Sequence, residues 1–206
     1  MRRKQPFALV TAASFTSIGL LLATPLWAWD GVVEKQRFEI ESFTTQGGET
    51  IPNVAVGWEA YGELNEARDN AILITHFFSG TSHAAGRYEA EGEATGYWDA
   101  IIGPGKPLDT DQYYVISSDT LVNLGANDPN VITTGPATLN PDTGEPWGMD
   151  FPVVTIRDFV EVQRVLLESQ GIESLHAVMG ASMGALQAIE WASAYPERVE
   201  RLIPVI

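Results

Sequence analysis

Five residues in the second half of the chain have the types and spacing for covalent catalysis. Gly180-Ala181-Ser182-Met183-Gly184 follows the pattern G-x-S-x-G, which places a serine hydroxyl on a sharp strand-to-helix turn when a buried strand precedes it and a helix follows. Both flanks fit. Leu175 to Met179 is an apolar run, and Met183 to Tyr195 reads as a helix stopped by Pro196. The tight bend exposes the serine Oγ above the sheet, and the neighbouring chain comes so close that side chains larger than hydrogen at 180 and 184 would clash. The helix N-terminus aims its free N–H groups and positive dipole end at the same point. The Met183 N–H is thus one candidate oxyanion donor. A second is expected in the loop after an earlier apolar run ending at His76, in Phe77-Phe78-Ser79-Gly80. The main-chain N–H of Phe78 is placed for that task, while the Phe77 and Phe78 rings can pack the pocket wall.

A serine nucleophile needs a base, and the base needs an orienting carboxylate. For a nucleophile on this kind of turn the chain order is serine, acid, histidine. Only 24 residues follow Ser182, and none is histidine. His76, His83 and His176 all lie upstream. His176 falls within an apolar run and is expected to be a satisfied core residue, His76 to shape the loop beside it, and His83 to lie in a loop within reach of substrate. None is assigned as the base. Glu197 and Glu200 follow the nucleophile too closely to serve as its acid and read as a solvated face. The expectation is a chain truncated before the acid and the histidine. Gly103-Pro104-Gly105-Lys106-Pro107 lacks the spacing and the Ser or Thr of a phosphate loop. With no metal-ligand spacing and no dinucleotide fingerprint, no metal and no cofactor is expected.

Positioning such a serine requires a sheet. Arg37 to Phe43 and Val54 to Tyr61 alternate polar and apolar residues around a Gly47-Gly48 turn, which reads as an antiparallel hairpin. Ala71 to Thr75, Tyr113 to Ile116, Leu175 to Met179 and Leu202 to Ile206 are short apolar runs suited to strands buried on both faces. A helix lies between the second and third runs. Thr155 can cap it with Asp158 as the capping-box partner, Phe159, Val162, Val165 and Leu166 recur at helical spacing, and Gly171 ends it. Phe78 to Pro152 holds little regular structure beyond one strand, and long loops of this kind often carry function. The fold class is α/β: a mostly parallel sheet with an N-terminal antiparallel hairpin, truncated after the strand that follows the nucleophile helix.

The composition is that of a folded domain, with 45% hydrophobic and 19% charged residues in 206. The absence of cysteine excludes disulfides, thiolate catalysis and a lipid-modified N-terminal cysteine. Residues 1–28 differ from the rest. A basic head, Arg2-Arg3-Lys4, precedes an apolar middle and a Pro25-Leu26-Trp27-Ala28 exit, the layout of a cleaved signal peptide. An uncleaved anchor is the alternative, although the apolar run is short for a membrane span. The domain would then be 29–206 and the protein periplasmic or secreted. Loss of three basic residues takes the net charge from −15 to −18. A surface so acidic disfavours nucleic acid and anionic lipid.

The motifs along residues 50 to 206 resemble the homoserine O-acetyltransferase family of the α/β-hydrolase superfamily. They run in family order: His76-Phe77-Phe78-Ser79-Gly80-Thr81-Ser82-His83, Tyr97-Trp98-Asp99, Ile102 to Thr110, Thr134-Gly135-Pro136, Asn140 to Gly144, Phe151 to Asp158, the turn at Ser182, then Gln187 and Glu190-Trp191. Phe77, Phe78 and Ser79 replace the family's usual Ala-Leu-Thr, and Ala181 and Ala185 replace glycines. The resemblance implies an α/β-hydrolase fold and ping-pong transfer of an acyl group through Ser182, with the Met183 and Phe78 N–H groups holding the oxyanion. It also implies a small-molecule acyl donor such as acyl-CoA as co-substrate, a hydroxyl acceptor, and a possible homodimer of the full-length protein. Acyl-CoA and homoserine are cytoplasmic metabolites, so the signal segment keeps a second reading open: an extracytoplasmic esterase with water as acceptor. A non-catalytic binding module is the third. When the full-length protein is expressed in a bacterial host and fractionated, N-terminal sequencing of the exported species should begin within a residue or two of Trp29. Retention of Arg2 in the exported form would contradict cleavage.

Overall fold

In the computed structural model, residues 29–91 and 95–206 are described. Residues 1–28, expected from sequence to be a signal peptide, lie outside them. Six strands form one sheet: β1 (Gln36–Thr44), β2 (Thr50–Tyr61), β3 (Ala71–Thr75), β4 (Tyr114–Ser118), β5 (Ala177–Ala181) and β6 (Leu202–Val205). Their order across the sheet is β1-β2-β4-β3-β5-β6. β1 pairs antiparallel with β2, and β2 with β4. The pairs β4–β3, β3–β5 and β5–β6 are parallel. Two helices, α1 (Ile156–Ser169) and α2 (Met183–Ala194), connect the later strands. The expected hairpin, parallel strands and helices are all present.

The pleat divides the core. Leu73 of β3, Ile116 of β4 and Val178 of β5 face α1 and α2, where they meet Val160, Leu167, Ala188 and Trp191. Ile72 and Ile74 point the other way, onto Ala84, Ala85 and Ile102. The part of the long irregular stretch that carries Ala84, Ala85 and Ile102 therefore covers the second face of the sheet. Phe43, Ile51, Val54 and Val56 of the hairpin close the third cluster with Phe159 and Val162 of α1.

Strand bounds differ from the sequence expectation: β2 begins at Thr50 rather than Val54, and β1 and β6 differ by a residue at their ends. β5 begins at Ala177 and runs to Ala181, not from Leu175 to Met179, and β4 begins at Tyr114 and extends to Ser118. His176 is consequently not a core residue. It sits half-exposed at the foot of β5, its ring 4.9 Å from that of Tyr113, with Glu200 and Arg201 beside it.

Polar contacts pin the irregular layer to the sheet. Glu59 of β2 shares a face with the fully buried Tyr61 and is itself buried. Its carboxylate is met by Lys35 Nζ at 2.8 Å, His83 Nδ1 at 3.0 Å, the Tyr88 hydroxyl at 2.7 Å and the Tyr61 hydroxyl at 2.8 Å. Asp119, just past β4, accepts from Ser82 N at 2.7 Å and Ile132 N at 3.0 Å. Lys35 also bonds the Ser82 hydroxyl. Burial alone would push the Glu59 carboxyl up. The His83 hydrogen bond, the Lys35 ammonium and the Tyr88 hydroxyl outweigh it and hold the group at about 2, below its ordinary 4.5. Burial and the Glu59 charge push the Tyr61 and Tyr88 phenols up, so both remain donors.

α1 opens on the expected capping box, with Thr155 N donating to Asp158 Oδ2 at 2.7 Å. Asp158 Oδ1 also accepts from Gln46 N at 2.7 Å in the hairpin turn. Asp158→Ala should therefore cost about 1–3 kcal/mol, more than a surface cap alone, by loss of both the cap and a buried acceptor. Urea denaturation of the full-length protein measures it. The depressed Glu59 carboxyl stabilises the fold above pH 4.5, and this contribution is lost as pH falls from 4.5 through about 2. The lost amount is roughly 3 kcal/mol. Denaturation across that range should show a steep acid limb in the wild type and a flatter one in Glu59→Gln, which is less stable at neutral pH.

Candidate active site

Ser182 stands where β5 hands over to α2. Its backbone has φ 55° and ψ −121°, a left-handed conformation that a residue with a Cβ adopts only under constraint. Its side chain is exposed, and its hydroxyl makes no cap hydrogen bond to the helix. The constraint comes from backbone packed on backbone. A Cβ at Gly184 would lie 2.1 Å from the Thr75 carbonyl oxygen, and one at Gly180 would lie 2.1 Å from the Thr75 hydroxyl and 2.3 Å from the Gly184 carbonyl oxygen. The end of β3, the end of β5 and the first turn of α2 thus touch main chain to main chain. Thr75 fastens them, its hydroxyl donating to the Gly184 carbonyl at 2.8 Å with the Met179 carbonyl 3.2 Å away.

The two amides anticipated from sequence have no hydrogen-bond partner among the described residues. Met183 is the first residue of α2, where an N–H has no partner within the helix. Phe77 and Phe78 divide the roles foreseen for them. The Phe77 ring packs edge-on against Tyr97 at 5.1 Å, whereas the Phe78 side chain is 63% exposed.

The loop carrying Phe78 is held from three directions. The His76 ring is buried, and its Nδ1 donates to the Phe77 carbonyl at 2.7 Å. Burial pushes the His76 imidazole below its ordinary 6.5, so it stays neutral. The His76 carbonyl accepts from Gln187 Nε2 of α2 at 3.1 Å. That amide is the end of a buried relay: Trp191 Nε1 donates to Gln163 Oε1, and Gln163 Nε2 donates to Gln187 Oε1, both at 2.8 Å. Gly80, at the far end of the loop, turns its carbonyl to Asn123 Nδ2 at 3.0 Å.

The three histidines occupy three different settings, and no hydrogen bond joins any of them to Ser182 among the described residues. His76 shapes the loop, as its position in the sequence suggested. His83 is bonded to Glu59 and stacked on Tyr88 with ring centres 4.3 Å apart. His176 lies at the opposite end of β5 from Ser182, roughly 16–20 Å away along an extended strand. Glu197 and Glu200 are exposed, as expected. No cluster of three or more potential metal ligands occurs among the described residues. Glu59, Asp119 and Asn123 escaped the sequence reading. A signal did exist for Glu59, a carboxylate at an inward position of an alternating strand. Asn123 lies in an aperiodic loop and gave none.

No protein-family model matches the chain. Individual proteins do. The chain is 43% identical over 175 residues to a homoserine O-acetyltransferase of Carboxydothermus hydrogenoformans, an alignment covering 85% of this chain and 45% of that one. Among solved structures it superposes on esterase E22 with a TM-score of 0.83 and 67% identity, covering 84% of this chain and 47% of the esterase. On the homoserine O-acetyltransferase of Bacillus anthracis the TM-score is 0.83 and the identity 51%, covering 85% and 47%. The chain spans about half the length of these relatives. It has the α/β-hydrolase fold and, over that half, is homologous to the homoserine O-acetyltransferases.

Proposed function

We propose that Ser182 is the nucleophile of an enzyme that moves an acyl group through a covalent seryl ester. The observation that carries this reading is the exposed serine held left-handed at the β5–α2 junction by close approach of Gly180 and Gly184 to Thr75. In the first half-reaction Ser182 Oγ attacks the acyl carbonyl and gives its proton to a base. The carbonyl oxygen, now negative, rests between the Met183 and Phe78 N–H groups. The intermediate then collapses, and the leaving group departs with the proton. In the second half-reaction an acceptor attacks the seryl ester and the base takes the acceptor's proton; the Ser182 Oγ–acyl bond then breaks, the base passes that proton to Ser182 Oγ, and the acylated acceptor leaves. The base and its carboxylate are assigned to chain beyond residue 206, in the order serine, acid, histidine. The apolar side chains that β6 and α2 present to solvent, Leu202, Ile203 and Val205 with Leu186 and Ile189, support a domain that continues past this point.

Two acceptors compete. The acyltransferase relatives point to a hydroxyl acceptor with acyl-CoA as donor. The higher identity with esterase E22, 67% against 51% for the Bacillus anthracis transferase, favours water and a simple ester. An exported protein, as the Arg2 to Ala28 segment suggests, would also meet water before a cytoplasmic thioester. Hydrolysis is therefore the stronger reading of the second half-reaction.

Full-length protein treated with a fluorophosphonate should gain one adduct on the peptide containing Ser182, and Ser182→Ala should lose at least about a thousandfold in kcat. Absence of both effects removes the catalytic reading in either form. Acetyl-CoA with homoserine, assayed beside a nitrophenyl ester in water, separates the two acceptors. Ester turnover without O-acetylhomoserine supports the esterase, and the reverse supports the transferase.

A further inference from the structure

We infer that Asn123 is a positioning residue for the oxyanion hole, delivered to that role by a strained neighbour. The inference rests on the reading of Ser182 as nucleophile and Phe78 N–H as oxyanion donor, and it goes beyond it to a side chain that touches neither.

Asn123 is buried, and each polar atom of its amide has an assignable partner. Nδ2 donates to the Gly80 carbonyl at 3.0 Å and faces His76 Nε2 at 3.4 Å. Oδ1 accepts from Gly125 N at 2.8 Å. The orientation is unambiguous, because a carbonyl oxygen and an imidazole nitrogen both need a donor, while an N–H needs an acceptor. His76 Nδ1 is committed to the Phe77 carbonyl, so its proton sits there and Nε2 is left as the acceptor. One amide group therefore grips the loop at both ends, fixing the tautomer of His76 and the direction of the Gly80 carbonyl. Between those two points lies Phe78, whose N–H is unpaired and must stay so to receive an oxyanion.

The backbone that presents Asn123 is unusual. Val122 has φ 52°, a left-handed conformation that is an outlier for a β-branched residue. Gly135 comes so close that a Cβ there would lie 3.0 Å from Val122 Cα, and Val122 N donates to the Thr134 carbonyl at 3.0 Å. Asn123 N is held in turn by the Thr133 hydroxyl at 3.1 Å. Strain of this kind persists where the surroundings over-determine it, and it gathers at functional sites. Here the strained turn directs the amide into the loop.

The function of such a bond is pre-organisation. An oxyanion donor is effective when it is aimed before charge develops, so loosening the loop should raise the transition state more than the bound ground state. In the full-length protein, Asn123→Asp, which keeps the shape and replaces the donor with an acceptor, should lower kcat on a nitrophenyl ester about 10–100-fold with KM within about twofold. Fluorophosphonate labelling of Ser182 should slow in parallel. Phe43→Leu, a core change in the hairpin, should lower Tm and leave kcat unaltered. Thr133→Val, which removes the support behind Asn123 N together with the hydroxyl's bond to the Thr120 carbonyl, should give a smaller loss of kcat in the same direction, and it decides the matter if the Asn123 variant does not fold. A folded Asn123→Asp with kcat within twofold of wild type, or an unfolded one beside an unaltered Thr133→Val, overturns the inference. If Ser182→Ala keeps its activity, the nucleophile reading itself has failed. If Ser182 is essential and the Asn123 and Thr133 variants are silent, only the positioning role has.

Discussion

Main chain packed against main chain at Thr75 is the constraint on which the rest of the molecule depends. A serine can hold φ 55° only where the alternatives are blocked, and here they are blocked by backbone. The approach of Gly184 to the Thr75 carbonyl leaves no space for a Cβ, so the first turn of α2 lies directly against the end of β3. That contact fixes three things together: the exposure of the Ser182 hydroxyl, the direction of the first free amides of α2, and the distance from those amides to the loop that leaves β3. The strain at Ser182 is sustained by the register of β3 against β5, Thr75 opposite Gly180, and hence by the whole parallel half of the sheet.

A sheet can fix where a loop begins but not what it does several residues later. The polar relay supplies the second constraint. Trp191, Gln163 and Gln187 hand hydrogen bonds from α2 to α1 and back to α2, ending on the His76 carbonyl. Each of these groups is buried, and a buried amide without a partner would cost about 1–3 kcal/mol. The relay therefore tolerates one arrangement and penalises slippage. Glu59 and Asp119 do the same on the other side of the loop, where Lys35 serves both carboxylates. Two buried carboxylates are expensive to desolvate, and their retention is understandable only because six surrounding donors are aimed at them, Lys35 at both. They order a stretch of chain that has no ladder of its own.

The elements that sequence made legible are those governed by local rules. The strand-to-helix turn at Ser182, the capping box at Thr155 and Asp158, the hairpin and the parallel strands each have a short-range signature, and each stands within a few residues of its expected place. The boundary of β5 shifted because Leu175 and His176 continue an apolar run without continuing the ladder. Leu175 makes only an isolated bridge with Val199, so the strand starts later and His176 is left half-exposed. Glu59, Asp119 and Asn123 were hidden for a different reason. Their partners lie mostly tens of residues away in segments without periodicity; the inward position of Glu59 signals a buried carboxylate but not what meets it, and an asparagine in a loop looks ordinary until its neighbours in space are known. The role of part of the long irregular stretch as a covering layer was hidden likewise, since Ala84, Ala85 and Ile102 announce nothing by spacing.

The same front half can serve a transferase and an esterase because its chemistry is indifferent to the acceptor. Forming and breaking a seryl ester pass through the same kind of tetrahedral oxyanion, and two amides that stabilise one stabilise the other. Nothing in the turn at Ser182, in the His76 loop or in the Asn123 contact distinguishes a water molecule from an alcohol. Discrimination requires groups that bind the acceptor and exclude water, because a competing nucleophile at the concentration of the solvent is rejected only by closure of the site or by a large difference in positioning. The described residues leave Ser182 open to solvent and the Phe78 ring largely exposed. If Ser182 is the nucleophile as proposed, whether transfer or hydrolysis prevails is therefore decided by what covers Ser182 and Phe78 when acceptor arrives.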